Sequence, residues 1–154
     1  MESVLLFVYG NLMYPEIVGS RLRAKGIRAK FRYANARLRG FRLFRSFVAR
    51  KYNTVVPEKG AVAEGKLLEV VSESAEEVLR AFDGYEGCPG YYDRFKFLAG
   101  GRECHLYIFN LVHATQHLTE ELRGMVERGE WKKLIREMEP LVESDFEWGD
   151  WYTT

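Results

Sequence analysis

The first clear pattern along the chain is an apolar run, "SVLLFVY" at residues 3 to 9, stopped by Gly10. Nothing polar interrupts it after Ser3, which predicts a strand buried on both faces. In the next stretch, "YPEIVGSRLRAKG", the period changes. Ile17, Val18 and Leu22 share a helical stripe, Pro15 stands at a helix-starting position and Gly26 ends it. Candidate strands follow at 31 to 38, 41 to 48 and about 61 to 71, each mixing aromatic or β-branched residues with polar ones. "VSESAEEVLRAF" then sets Ser74 and Glu77 at capping-box spacing and puts Val78, Leu79 and Phe82 on one face, predicting a second helix. "RFKFLA" and "CHLYIFNLV" read as two strands joined at Gly100 and Gly101. From Thr119 the pattern turns helical and acidic, with a break near Gly129 and a stop before Pro140, and the aromatic tail "FEWGDWYTT" is expected to pack down. Together these elements predict one α+β domain over residues 1 to 154. Its mixed sheet closes into a small six-stranded barrel with helices inserted between strands, and an acidic helical C-terminal extension starts at about residue 119.

Composition adds limits. A chain of 154 residues buries roughly two thirds of the surface its unfolded form exposes, so no disulfide or metal is needed to hold it. A formal charge of +1, no apolar run long enough to span a membrane and an opening "MESVLL" without a basic leader make a cytoplasmic protein the expectation. Cys88 and Cys104 are too few for a disulfide framework and too far apart for a metal or redox pair. His113 and His117 stand four apart, a spacing that shares a metal only on a helix; "NLVHATQHLT" reads as a loop, so no metal site is expected. With four Asn and one Gln beside abundant Glu, Lys and Arg, the composition has the bias of proteins from hot habitats.

Charge is distributed unevenly. Between Ile17 and Pro57 there are twelve Lys or Arg and no Asp or Glu. Such a stripe raises an RNA-binding module as one reading. In "RLRGFRLFR", however, the arginines partly alternate with Leu and Phe, as outward positions on a half-buried strand do, and no nucleic-acid partner is expected.

Two stretches combine special backbone with special side chains. In "YGNLM", residues 9 to 13, a glycine turn lies between a buried strand and a helix; the amides of Gly10, Asn11 and Leu12 there form a nest suited to a carboxylate or phosphate. In "FDGYEGCPGYYDRF", residues 82 to 95, glycines and a proline punctuate what reads as a loop, and Glu86 lies among Tyr85, Tyr91 and Tyr92. A carboxyl partly removed from water has a raised pKa and both accepts and donates a proton near neutrality.

The order and contents of these stretches resemble the γ-glutamylcyclotransferase-like superfamily, which includes the plant avirulence-induced proteins and the γ-glutamylamine cyclotransferases. The resemblance rests on a strand ending in Phe-x-Tyr-Gly, a middle "GAVAEGKLLEV" and a "D-x-Y-E-G…Y-x-R" loop before a strand, and it runs from about Leu6 to Leu111, leaving out the acidic C-terminal segment. "EGCPGYYDR" leans toward the γ-glutamylamine cyclotransferase branch. The resemblance implies a substrate loop at Tyr9, Gly10, Asn11 and Leu12, a catalytic glutamate at Glu86, and the Tyr-x-Arg pattern at Tyr92 and Arg94. Asn11 departs from the pattern, standing where a hydroxyl residue is usual.

The implied reaction releases 5-oxoproline and a free amine from a γ-glutamyl amine or γ-glutamyl peptide. Such a substrate carries its own nucleophile, so orientation and proton transfer suffice and no cofactor is implied. Glu86 would serve as general acid and base, and the Tyr92 hydroxyl would steady the oxyanion. A non-catalytic small-molecule binding or regulatory protein using the same pocket is the alternative.

Overall fold

The computed structural model describes residues 1–46, 52–88, 90–112, 118–138 and 141–154. Among these residues seven strands form one sheet: β1 (Glu2–Val8), β2 (Ala29–Ser46), β3 (Tyr52–Ser72), β4 (Tyr92–Ala99), β5 (Arg102–Phe109), β6 (Leu141–Glu143) and β7 (Tyr152–Thr153). The order β3-β1-β5-β4-β6-β2 closes on itself because β2 also pairs with β3, and β7 adds to β2 at Lys30 and Phe31. The barrel is mixed. β1 runs antiparallel to β3 and parallel to β5, while β4 and β6 meet as a parallel pair at Leu98 and Leu141. The expected six-stranded barrel is therefore present with one added strand, but its strands are divided differently. The candidate strands at 31 to 38 and 41 to 48 are one strand, β2, which continues through Gly40 at φ 85 with a register shift against β3; residues 47 and 48 lie outside the described residues. β3 starts well before residue 61, and the sixth barrel strand, β6, comes from the C-terminal segment.

Four α-helices occur among the described residues: α1 (Pro15–Ala24), α2 (Ala75–Glu86), α3 (Glu120–Glu127) and α4 (Trp131–Glu137). Pro15 opens α1, where its missing N–H costs nothing. The Ser74 hydroxyl accepts from the Glu77 amide at 3.2 Å, so the predicted cap forms. Gly129, at φ 72, breaks the C-terminal pair of helices as expected.

The sheet separates two apolar cores. Inside the barrel, Leu5, Phe7, Leu38, Phe41, Leu67 and Leu106 meet Leu122, Trp131 and Ile135 from α3 and α4. On the outer face, Val4, Leu6, Val8, Leu68 and Phe109 take the stripes of α1 (Val18, Leu22) and α2 (Val78, Phe82). β1 is thus buried on both sides, which is why its sequence lacks alternation. Gly65 on β3 allows the closest approach: a Cβ there would lie 2.5 Å from the Val8 carbonyl oxygen, at the end of β1 where the chain enters its glycine turn. The tail folds back over β2, with the Tyr152 ring stacked on Phe31 at 5.3 Å and the Thr154 hydroxyl bonded at Ile27 and Ala29.

Candidate active site

Where β1 ends, Gly10 leads into a single 3-10 turn at Asn11–Met13, closed by the bonds from Met13 N to Gly10 O and from Tyr14 N to Asn11 O, both 3.0 Å. The first amides of such a turn have no partner within it, so those of Asn11 and Leu12 are left to the surroundings. Leu12 is buried and anchors the turn, Asn11 is exposed, and the Tyr33 hydroxyl donates to the Leu12 carbonyl at 2.8 Å.

Facing this turn is the C-terminal end of α2. The glycines around Glu86 do not make a loop: α2 continues through Gly84 and Tyr85, and Glu86 is its last residue. The helix stops at Gly87, which takes the left-handed conformation at φ 67, and its end is closed by Cys88 N bonding to Asp83 O at 2.9 Å. A side chain at Gly87 would be strained and would also meet the Tyr91 ring at 2.8 Å.

Between turn and helix end lies a cleft of about 540 Å³ lined by all six residues expected from the sequence, Tyr9, Gly10, Asn11, Leu12, Glu86 and Tyr92. Glu86 is half-buried there, and burial pushes its carboxyl up to about 7. Among the described residues no hydrogen bond or ion pair engages it. Burial also raises the Tyr9 hydroxyl well above its ordinary value, with Tyr92 and Glu86 adding to the effect. The Tyr9 hydroxyl donates to the Tyr107 backbone carbonyl.

Two expectations need correction, those for Tyr92 and Tyr91, and the arginine of the Tyr-x-Arg pattern, to which no place was assigned, lies elsewhere. Tyr92 lines the cleft, but its hydroxyl donates to the Asn53 carbonyl at 2.7 Å, so its proton is engaged by the protein and does not wait for an oxyanion. Arg94 lies outside the cleft, its guanidinium on Asp83. Tyr91 touches the cleft but is 57% exposed, and the buried ring beside Glu86 is Tyr107 from β5, which also lines the cleft and was not anticipated. Its signal lay in "CHLYIFNLV", where Tyr107 alternates with inward Leu106 and Ile108 and so faces α2. Asn53 was likewise missed, because it enters from a distant part of the chain at the start of β3.

A larger groove, about 900 Å³, opens on the other side of α2, and three of its cations are already paired: Arg94 with Asp83, Lys96 with Glu103 and Arg102 with Glu69. In the basic stretch, Arg32, Arg39 and Arg42 pair with Glu69, Glu143 and Glu58. His113 and His117 lie outside the described residues; among those described, no group of three or more His, Cys, Asp or Glu gathers to hold a metal ion. No helix of the described chain is long and apolar enough to cross a membrane.

The model of one protein family, gamma-glutamyl cyclotransferase, AIG2-like, matches residues 6–133. This chain belongs to that family. The match passes residue 111 and continues through α3 into α4, so the acidic segment is partly included. No curated protein matches the chain in sequence. Among solved structures, two Arabidopsis thaliana proteins determined in solution share its fold. One is 23% identical with a TM-score of 0.55 over 90% of this chain and 89% of its own; the other is 19% identical with a TM-score of 0.54 over 90% and 82%. A structure named gamma-glutamyl cyclotransferase is 17% identical with a TM-score of 0.50, over 88% of this chain and 99% of its own. At these identities the likeness is one of fold.

Proposed function

We propose that this protein releases 5-oxoproline and a free amine from a γ-glutamyl amine or γ-glutamyl peptide, with Glu86 as general acid and base. The observation that carries the reading is a half-buried carboxyl, pushed up to about 7 and unpaired among the described residues, facing a turn whose first amides have no partner within it. A group titrating near neutrality takes and returns a proton with little driving force lost either way. Family membership and fold support the reaction class.

The substrate α-carboxylate sits on the amides of residues 10 to 12, which fixes the α-amine next to its own γ-carbonyl. The α-ammonium gives a proton to Glu86, and the freed amine attacks the γ-carbon, forming the ring C–N bond. As the tetrahedral adduct collapses, the amide C–N bond breaks and Glu86 hands its proton to the departing nitrogen. A second proton follows the same route, so the nitrogen kept in the ring retains one hydrogen and the amine leaves as an ammonium. Holding nucleophile and carbonyl in contact supplies most of the acceleration.

The test is incubation with a panel of γ-glutamyl amines, γ-glutamyl dipeptides and glutathione, measuring 5-oxoproline. Product from at least one class is expected. No product from any, with 5-oxoproline or glutamate still binding in the cleft, would establish the binding-protein reading instead.

A further inference from the structure

Behind Glu86, on the same end of α2, a second set of polar side chains is fully engaged. Asp83 Oδ1 accepts from the Tyr107 hydroxyl at 2.6 Å and from Arg94 Nε at 2.8 Å, while Oδ2 accepts from Arg94 Nη2 at 3.3 Å. Arg94 Nη1 donates to His105 Nδ1 at 2.9 Å. An arginine only donates, so the imidazole accepts at Nδ1 and is neutral. Burial, with Arg94 beside it, lowers His105 to about 4, in keeping with that state.

We infer that Asp83, held between Arg94 and Tyr107, is a positioning residue that sets both the place and the titration of the Glu86 carboxyl. The inference rests on Glu86 being the proton carrier proposed above. Residues three apart on a helix are neighbours on one face, which places Asp83 one turn before Glu86 on α2. Asp83 also binds the last turn twice: its side chain ties α2 to β4 and β5, and its carbonyl accepts the Cys88 amide that closes the helix. Tyr107 links this cluster to the cleft, since its hydroxyl meets Asp83 and its carbonyl accepts from Tyr9.

The other groups facing Glu86 among the described residues are three hydroxyls, one guanidinium and one thiol. Tyr9 just after β1, Tyr92 from β4 and Tyr107 from β5 present hydroxyls bonded to the protein. From α1, Arg21 lies 5.9 Å from the Tyr85 ring centre with its Nε on the Ala81 carbonyl. Burial raises the neighbouring thiol Cys88, with Asp83 adding to the effect. Two charged features thus lie at this end of α2: the Arg21 guanidinium, which stays the same in every variant below, and the Asp83–Arg94 pair, which is balanced only while both partners are present. Removing the Arg94 guanidinium leaves a bare carboxylate one turn before Glu86 and favours its protonated form; removing the Asp83 charge leaves a bare cation and favours the ionised form.

The experiment follows the Glu86 carboxyl by carbon-13 NMR titration in the parent, Asp83→Asn, Arg94→Gln, Arg94→Lys and Tyr107→Phe, beside the pH profile of kcat/KM. The Glu86 midpoint and the acid limb of the profile are expected to move up in Arg94→Gln and down in Asp83→Asn, by roughly half a pH unit or more each. They should stay with the parent in Arg94→Lys, which keeps the charge. Tyr107→Phe should lower kcat severalfold with the midpoint in place. Equal midpoints in the two charge-removing variants, with both folded by circular dichroism, would overturn the inference. Should Arg94→Gln not fold, Asp83→Asn against Asp83→Glu reads the same sign. The NMR midpoint is independent of turnover: shifted midpoints without 5-oxoproline from any substrate would sink the catalytic reading alone, and turnover with unmoved midpoints would sink the positioning role alone.

Discussion

Glu69, on the face of β3 that also carries the inward Leu67, is 6% exposed and lies between Arg32 and Arg102, each 2.8 Å away, whereas Glu86 lines the cleft with no partner among the described residues. Burial pushes the Glu69 carboxyl up, but the guanidiniums of Arg102 and Arg32 outweigh it and hold the group below its ordinary range. At Glu86 the same burial acts unopposed and carries the carboxyl to about 7. The two side chains are chemically identical, so whether a buried carboxyl serves cohesion or proton transfer is decided by the cations placed around it.

The strongest way to break this comparison is to neutralise each group in turn. Glu86→Gln is expected to lower 5-oxoproline release by on the order of 10² to 10⁴, the usual worth of a general acid-base. Glu69→Gln should turn over at close to the parent rate in the same assay. Equal losses from both would mean that Glu86 contributes only to the fold.

Stability should rank the pair in the opposite order. Glu69→Gln leaves two guanidiniums around a neutral amide and is expected to cost about 1 to 3 kcal/mol at neutral pH, the arginines being partly exposed. For Glu86 the sign reverses. Its folded pKa, about 7, lies above the unfolded value near 4.5, so between those values the folded state binds the extra proton and stability falls as pH rises. Glu86→Gln should therefore stabilise the protein by on the order of 2 kcal/mol at pH 8 and leave it unchanged at pH 4, as read from denaturant midpoints.

His105 sharpens the same measurement. Its folded pKa near 4 lies below its unfolded value near 6.5, so the unfolded state binds the extra proton and stability rises with pH across that window. The windows of His105 and Glu86 overlap with opposite slopes. In the parent the two groups should largely cancel between about pH 4.5 and 6.5, and in Glu86→Gln the rise due to His105 should emerge. A Glu86→Gln protein whose stability stays as flat as the parent's in this range would contradict the buried neutral imidazole.

The smallest effect is expected where the two regions touch. Tyr33 adjoins Arg32 on β2, lies edge-on to Tyr152 of the tail and donates to the Leu12 carbonyl of the substrate turn. Tyr33→Phe removes one hydrogen bond and is expected to raise KM about fivefold with kcat nearly unchanged, the consequence of roughly 1 kcal/mol. A fall in kcat without a change in KM would show that the turn does not bind the substrate in the way proposed.

Much of this architecture was legible in the chain. The uninterrupted apolar run of β1, the Pro15 start of α1, the Ser74 cap of α2 and the Gly100-Gly101 hairpin all rest on local chemistry, and local chemistry is what a sequence displays. The candidate site residues were picked out by the resemblance: a glycine turn after a strand and a glutamate between a tyrosine and a glycine are each common, and only their order along the chain pointed to a site. What was missed is non-local. Gly84 reads as a helix breaker, yet α2 crosses it because Val78 and Phe82 are held against the sheet and outweigh its roughly 1 kcal/mol penalty. Gly40 reads as a strand end, but β2 bends there and stays paired with β3. β6 carries too few residues to show a period, and the Asp83, Arg94 and Tyr107 cluster joins residues from three elements that only the fold brings together.

The closure of the barrel by β6 also affects how the chain must fold. β6 pairs with β2 on one side and β4 on the other, and both are synthesised before it; Arg39 and Glu143, bonded across this seam, are 104 residues apart. Until residues 141–143 emerge, the edges of β2 and β4 have no partner, and unpaired edges are templates for joining another chain. Nascent or truncated forms ending before Leu141 should therefore be the ones that aggregate, with the last few residues of the barrel acting as the fastening that makes the rest safe in a crowded solution.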